Sequence, residues 1–261
     1  MQFNSSILVL GAGELGMAVL RGLAVERGRK SEPKLAVLLR PETIRSTDVQ
    51  KKRSIAELCE LGVELVSADL QHGSVDELAS IFQPFGTVIG CTGFAAGKST
   101  QLKIAQAVLQ AGAKRYVPWQ FGVDYDRIGS GSAQDLFDEQ LRVRELLRAQ
   151  SKTEWLIIST GMFTSFLFDS AFGVVDLVQG HVRALGSWDN AVTVTTAEDI
   201  GILTAAILFE EPPLRNQVVY TAGDTITYGQ LAETVTAVTG REIHKTVWTV
   251  DDLRRSLLRT R

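Results

Sequence analysis

Cysteine and histidine are scarce in this chain of 261 residues, which carries two of the first and three of the second. Cys59 falls in a helical pattern and Cys91 at a strand end, so the pair forms neither a metal nor a redox motif. His72, His181 and His244 stand singly, with no cysteine or carboxylate at ligand spacing, which argues against a metal site. An excess of one charge is missing too. The 27 lysines and arginines against 30 carboxylates give a net charge of −3 without a dense basic run, so a nucleic-acid surface has little support. No stretch reaches bilayer-spanning length without charges. The apolar beginning lacks a basic leader and is interrupted by Glu14 and three glycines, unlike a targeting segment. A reduced, cytoplasmic chain with neither nucleic acid nor membrane as partner is expected. With 45% hydrophobic and 22% charged residues the composition is that of an ordinary globular protein, one domain or two closely joined ones.

What is present is concentrated at the start. Ser6 to Leu10 is a short apolar run that meets Gly11-Ala12-Gly13-Glu14-Leu15-Gly16 before a helical stretch, Met17 to Leu20. This is G-x-G-x-x-G between a strand and a helix, the context a dinucleotide fingerprint requires. Gly11 makes the tight turn, Gly13 lets a pyrophosphate approach the backbone, and Gly16 lets helix and strand pack closely. The helix N-terminus around Glu14 and Leu15 supplies N–H groups for phosphate. The next strand, Leu35 to Leu39, ends in Arg40, where a carboxylate would hold ribose hydroxyls; a cation suits a 2′-phosphate, so NADP is expected over NAD. Thr43, Lys51, Lys52 and Arg53 follow in what reads as a polar loop able to close over that phosphate.

Further strands read at Glu64 to Val66, Thr87 to Cys91, Tyr116 to Val117 and Trp155 to Ile158, alternating with helix-period segments. The fold class is therefore α/β, a Rossmann-type doubly wound parallel sheet. Ser74 with Glu77 is a capping-box pattern, Ser99 precedes a helix from Leu102 to Gln110, and Gly112 has the place of a C-terminal cap. Ligands in such a sheet sit outside the carboxyl ends of its strands. That selects Asp69 and Leu70, Thr92, Gly93 and Phe94, and Trp119, Gln120, Phe121 and Gly122. Asp69 could accept from an adenine amino group or cap a helix.

Beyond Gly161 the rhythm loosens, and Met162, Phe163, Phe166, Phe168 and Phe172 crowd together ahead of Val182 to Leu185 and Trp188. Met162, Phe163, Phe166, Trp188 and, from the first part, Trp119 are the substrate-binding candidates, with simple core as the alternative. Residues 1–160 read as the dinucleotide-binding domain. Residues 161–261 read as a smaller substrate-binding part interleaved with it, with a helix from Ala197 to Phe209, a strand at Val218 to Thr221, a helix from Tyr228 to Thr239 and a strand near Thr246 to Val250.

A short-chain dehydrogenase would carry Tyr-x-x-x-Lys, but four residues after Tyr116, Tyr125, Tyr220 and Tyr228 stand Gln120, Gly129, Asp224 and Ala232. Gly129-Ser130-Gly131-Ser132 is no nucleophile elbow, since G-x-S-x-G does not occur there; it reads as a loop over the active site or a plain linker. Gly11 to Gly16, Arg40-Pro41, Leu61-Gly62-Val63 leading to Ala68-Asp69-Leu70, Ala111 to Pro118, and Phe121-Gly122-Val123-Asp124 together carry a resemblance. The chain resembles the isoflavone reductase-like and phenylcoumaran benzylic ether reductase-like group of the NmrA-like, atypical short-chain dehydrogenases over nearly its whole length. The resemblance implies an NADPH-dependent reductase of an aromatic, phenylpropanoid-, isoflavone- or polyketide-like molecule. It implies a lysine acid–base on the helix after the Phe-Gly turn, where this chain has Gln140, and small polar and acidic residues where Trp119 and Gln120 stand. It also implies a further C-terminal segment beyond Arg261. An amide orients a substrate oxygen but has no titratable proton near neutrality, which leaves Tyr125, Asp124 and His181 as the remaining acid–base candidates beside Gln140. An NADP-sensing regulator without turnover and a non-redox cyclase or isomerase on the same fold are the alternatives. A small aromatic molecule is the expected partner, and a homodimer is left open.

Overall fold

A computed structural model describes residues 6–30, 33–94, 97–132 and 136–259. In chain order the first stretch gives β1 (Ile7–Leu10), α1 (Glu14–Lys30), β2 (Leu35–Leu39), α2 (Pro41–Ile44), α3 (Val49–Glu60), β3 (Glu64–Ser67), α4 (Val75–Phe82) and β4 (Thr87–Gly90). It continues with α5 (Thr100–Ala111), β5 (Arg115–Val117), α6 (Tyr125–Ile128), α7 (Leu136–Arg148) and β6 (Glu154–Ser159). Then come β7 (Met162–Phe163), β8 (Val175–Asp176), β9 (His181–Leu185), β10 (Ala191–Thr195), α8 (Ala197–Leu208) and β11 (Gln217–Tyr220). The chain closes with β12 (Asp224–Thr227), α9 (Tyr228–Thr239), β13 (His244–Trp248) and α10 (Val250–Arg259).

Two compact units result. Residues 1–159 and 198–221 form the first, and residues 160–197 and 222–261 the second. The break after Ser159 falls beside the expected one, but nearly all of α8 and the whole of β11, expected in the smaller part, return to the first unit. There β11 pairs in parallel with β6, Val218 opposite Ile157. The first unit's sheet has seven strands in the order β11-β6-β5-β4-β1-β2-β3, all parallel. The strands β1 and β2 are buried along their whole length, as unbroken apolar runs must be when helices cover both faces. One face packs Leu8, Leu10, Leu38 and Val88 against Leu78 and Phe82 of α4, Ile104 and Val108 of α5 and Val143 and Leu147 of α7.

Local signals account for several boundaries. Ser74 and Glu77 form the full capping box that starts α4, and Gly112 ends α5 with φ +71°. The start of α5 differs from expectation. Ser99 occupies the cap position, but its side chain makes no cap bond; instead the Glu139 carboxylate of α7 accepts from Ser99 N at 2.9 Å and Leu102 N at 3.1 Å. The expected polar loop after Arg40 is largely helix, because Asp48 accepts from Lys51 N at 2.9 Å and caps α3. The last expected strand begins two residues earlier, at His244, and Val250 already starts α10.

The second unit holds two three-stranded sheets, β12-β10-β7 and β13-β9-β8. Its core joins Val182 and Ala184 to Leu231, Ala232 and Val235 of α9. Among the described residues, no helix is long and apolar enough to cross a membrane.

Candidate functional site

At the carboxyl ends of β1, β2 and β3 lies a cavity of about 500 Å³, within the range of small-molecule and cofactor sites. Its floor is the glycine turn, in which each glycine meets a different constraint. Gly11 has φ +97°, a conformation costly for any side chain. A Cβ on Gly16 would stand 2.1 Å from the Gly11 carbonyl oxygen, so this glycine lets α1 rest on the turn. A Cβ on Gly13 would meet no protein atom within 4 Å. Gly13 is therefore open toward the cavity, as a backbone receiving phosphate must be. The first α1 bond, Met17 N–H to Gly13 O at 3.0 Å, leaves the helix's initial amides directed at the same space. Leu15 contributes no side chain there, being buried in the core, and Glu14 is exposed at the helix start.

The outer wall is built by Arg40, Thr43, Gln50, Lys51, Ser54, Ile55 and Leu58. Arg40 is exposed, with Glu42 3.3 Å from its Nε. Lys51, Ser54, Ile55 and Leu58 share one face of α3 by their helical spacing. Lys52, expected at the cofactor, points about 100° away around the helix and does not line the cavity. The sequence signal for this wall was Asp48 as a cap followed by that three- and four-residue spacing.

Asp69 and Leu70 close the third side. The Asp69 carboxylate accepts from the Gln71 and His72 amides at 2.8 and 3.1 Å and lies 2.7 Å from His72 Nδ1. These contacts, led by the imidazole, bring its pKa down to about 2. Asp69 thus holds a turn and does not cap a helix, Ser74 being the cap of α4, and it still lines the cavity. Leu70 packs into the core with Leu78.

The fourth side follows β4. Thr92 Oγ1 donates to Leu10 O at 2.7 Å, and the buried Gln101 of α5 donates from Nε2 to Thr92 O at 2.6 Å. The Thr92-Gly93 turn is thereby held from both sides. Beside it the Phe94 and Trp119 rings meet edge to face, centroids 4.5 Å apart. Cys91, buried and with its thiol pKa raised by desolvation, completes the lining.

The residues after β5 turn inward instead. Gln120, expected at the cofactor, is fully buried; its amide donates to Gln140 O at 2.9 Å and its Oε1 accepts from Arg144 Nε at 2.7 Å. Phe121 is likewise buried. Gln140, the resemblance's acid–base position, has no exposed surface, and neither side-chain amide atom has a partner among the described residues. It does not border the cavity. Asp124 is bound as well: it caps α6, and its carboxylate accepts from Tyr220 OH at 2.9 Å and Arg144 Nη1 at 3.4 Å. Asp126 takes the shorter Arg144 contact at 2.6 Å and both Arg148 nitrogens, and its pKa falls to about 2, chiefly through Arg148. Tyr125 is buried beneath Arg144 and against Phe137, and burial pushes its phenol up to about 12. Asp124, Tyr125 and Asp126 thereby tie α6 to α7. The Gly129–Ser132 loop is tied to the same helix by Gly131 N–H to Asp138 Oδ1 at 2.9 Å.

In the second unit, His181 lies between Thr246 Oγ1, 2.8 Å from Nε2, and Arg183, 3.4 Å from Nδ1. Desolvation first, then Arg183 and His244, lower its pKa. Phe163, Phe166 and Phe172 stack in a column with centroid spacings of 5.4 and 4.9 Å. Phe163 is buried and Phe172 is half exposed, so the column runs from core to surface. Met162 packs on the second core, and Trp188 accepts from Gly229 N–H at 2.9 Å with Lys245 over its ring. Among the described residues no cluster of three His, Cys, Asp or Glu side chains could hold a metal.

Residues 3–258 match the NmrA-like family. An NmrA-like family domain-containing oxidoreductase of Gibberella moniliformis (strain M3125 / FGSC 7600) is 48% identical over 97% of this chain and 84% of its own length. The isoflavone reductase homolog P3 of Arabidopsis thaliana is 24% identical over 97% of this chain and 81% of its own. The structure of a binary complex of leucoanthocyanidin reductase and NADPH from Vitis vinifera superposes with a TM-score of 0.79 at 19% identity, covering 96% of this chain and 80% of that one. With its glycine turn, its parallel sheet and this match along nearly every residue, the chain belongs to the NmrA-like family and is an oxidoreductase.

Proposed function

We propose that this oxidoreductase uses NADPH to reduce a small aromatic molecule in the cytoplasm. The observation that carries the reading is the Gly11–Gly13 turn opening onto a cavity whose outer wall presents Arg40, Thr43, Lys51 and Ser54. The open Gly13 backbone and the first turn of α1 receive the pyrophosphate. Arg40 and Lys51 carry the charge, and Thr43 and Ser54 the hydroxyl donors, that a 2′-phosphate requires and two ribose hydroxyls do not. Asp69 and Leu70 flank the adenine side. Thr92 and Gly93, fixed by Leu10 and Gln101, give a firm backbone edge at the far end. NADPH bound in this cavity supplies a hydride.

The isoflavone reductase homolog among the relatives and the Phe163–Phe166–Phe172 column both support an aromatic substrate. Protonation falls to water, because Gln140 has no titratable proton and is sealed, Asp124 is ion-paired, Tyr125 is held protonated by burial, and both His181 ring nitrogens are engaged, by Thr246 and Arg183. Purified protein tested for NADPH oxidation against aromatic ketones, isoflavones and benzylic ethers should turn over at least one class, and Tyr125→Phe should leave that rate within about two-fold. NADPH binding without any turnover would favour the sensing role, which the sealed Gln140 also supports. Failure to bind NADPH, or equal affinity for NADH, would refute the cofactor assignment.

A further inference from the structure

The cavity is walled by the ends of β1 to β4 and by α3. Its lining comes from the segments after β1, β2 and β3 and from α3, and on the β4 side it stops at Gly93. A doubly wound sheet binds a dinucleotide as two mononucleotide halves, across the point where strand order reverses, here between β1 and β4. Of the second half, only Cys91, Thr92 and Gly93 after β4 line the cavity, and among the described residues β5 and β6 contribute nothing to it. At that boundary stands Trp119, two residues past the end of β5. A Cβ on Gly93 would come within 2.9 Å of Trp119 Cζ2 and 3.2 Å of Cε2, and one on Gly90 within 2.8 Å of Trp119 N. The backbone of Trp119 is therefore pinned against Gly90, and its indole lies over Gly93 where the cavity ends. What holds the indole is packing on Gly93 and the edge-to-face contact with Phe94. The edge-to-face contact is worth about 1 kcal/mol beyond area burial, and Trp119 is only partly buried, so a rotamer change is the opening motion to consider.

We propose that Trp119 is a specificity gate. With the indole on Gly93 the site accepts the adenosine 2′-phosphate half of a dinucleotide and closes the nicotinamide half. Complete NADPH binds only the fraction of molecules in which the indole has turned aside. The gate rests on the NADPH reading above. It predicts that the closed fraction weakens binding of the whole cofactor but not of its adenosine half.

The test is calorimetric titration of the full chain with NADPH and with adenosine 2′,5′-bisphosphate, for the native protein, Trp119→Ala and Trp119→Phe. If about a tenth of molecules are open, Trp119→Ala tightens NADPH binding roughly 10-fold and Trp119→Phe by less, while the bisphosphate constant stays within about two-fold. Trp119→Leu, smaller than tryptophan but more space-filling than alanine, supplies the same comparison should the alanine variant misfold. Unchanged or weaker NADPH binding in the variants, with bisphosphate binding intact, overturns the gate and leaves the NADPH reading standing. Equal weakening of both ligands makes Trp119 a structural prop and also overturns the gate. A native protein that binds neither ligand overturns both proposals together.

Discussion

Gly13 and Gly16 lie three residues apart in one turn, and the structure assigns them opposite vulnerabilities. In Gly16→Ala the new methyl would stand 2.1 Å from the Gly11 carbonyl oxygen and 2.8 Å from its carbon, with Cys91 Cβ at 3.4 Å. Ordinary contact at about 3.4 Å requires α1 to retreat by about 1.3 Å (3.4 − 2.1), and the obstacle is backbone, which no rotamer change relieves. Overpacking of this kind costs up to about 3 kcal/mol. Replacing glycine inside a helix returns about 1 kcal/mol of propensity, leaving a net loss near 2 kcal/mol. With a urea slope of about 3 kcal/mol/M, the midpoint falls by roughly 0.7 M. Gly13→Ala meets nothing within 4 Å, and Gly13 is not among the glycines with positive φ, so its midpoint should move by less than about 0.2 M. Its methyl instead occupies the space reserved for pyrophosphate and should weaken NADPH at least about 10-fold. Urea unfolding and NADPH titration of both variants check the pair. A Gly13→Ala protein that binds NADPH normally, or that loses as much stability as Gly16→Ala, would show that the turn has been misread.

Lys51→Ala should reduce the preference for NADPH over NADH by about 10-fold, whereas Lys52→Ala, on another face of α3, should change it less than about two-fold; both are read by titration with the two cofactors. Glu139→Ala removes the carboxylate that caps α5 through Ser99 N and Leu102 N and should cost about 1 kcal/mol in urea unfolding, with Glu139→Gln recovering part of it. Asp69 and Asp126 are both held near pKa 2, below the unfolded value of about 3.9, so their contribution is complete above about pH 4 and is lost as pH falls toward 2. Asp126→Asn should therefore flatten the decline of the urea midpoint between pH 5 and 3; an unchanged decline would place the acid sensitivity elsewhere.

The parallel sheet and the glycine turn were legible because their signals are local. Unbroken apolar runs, one fingerprint and a capping box each occupy fewer than eight consecutive residues. The wall of α3 was harder to see. With Ile55 and Leu58 as its only large apolar residues facing the cavity, the segment reads as a polar loop unless Asp48 is recognised as its cap. The return of α8 and β11 to the first unit is not written in either element, since each reads equally well in either part. The end of β4 borders the cavity at Thr92 and Gly93, whereas after β5 Gln120 turns inward. Its fate depends on Arg144 and Gln140, 24 and 20 residues later, and a pairing at that separation has no local signature.

Gln140 shows what such pairing does to chemistry. It stands four residues before Arg144 on α7, on the same face, and both side chains are wholly buried. A lysine introduced there would place an ammonium without solvent beside a guanidinium. Desolvation and the neighbouring cation both lower a lysine pKa, so Gln140→Lys should carry a neutral amine near neutrality if it folds. A folded-state pKa below the unfolded value of about 10.4 penalises folding at low pH, and the penalty fades as pH rises toward that value. The variant's urea midpoint, measured against the native protein, should thus recover between pH 7 and 9.5. If the deficit is the same at both pH values, the lysine has escaped to solvent and α7 has moved, so the sealed geometry does not govern this position. If the deficit narrows, the burial seen at Gln140 is what sets the proton affinity of a lysine at this position.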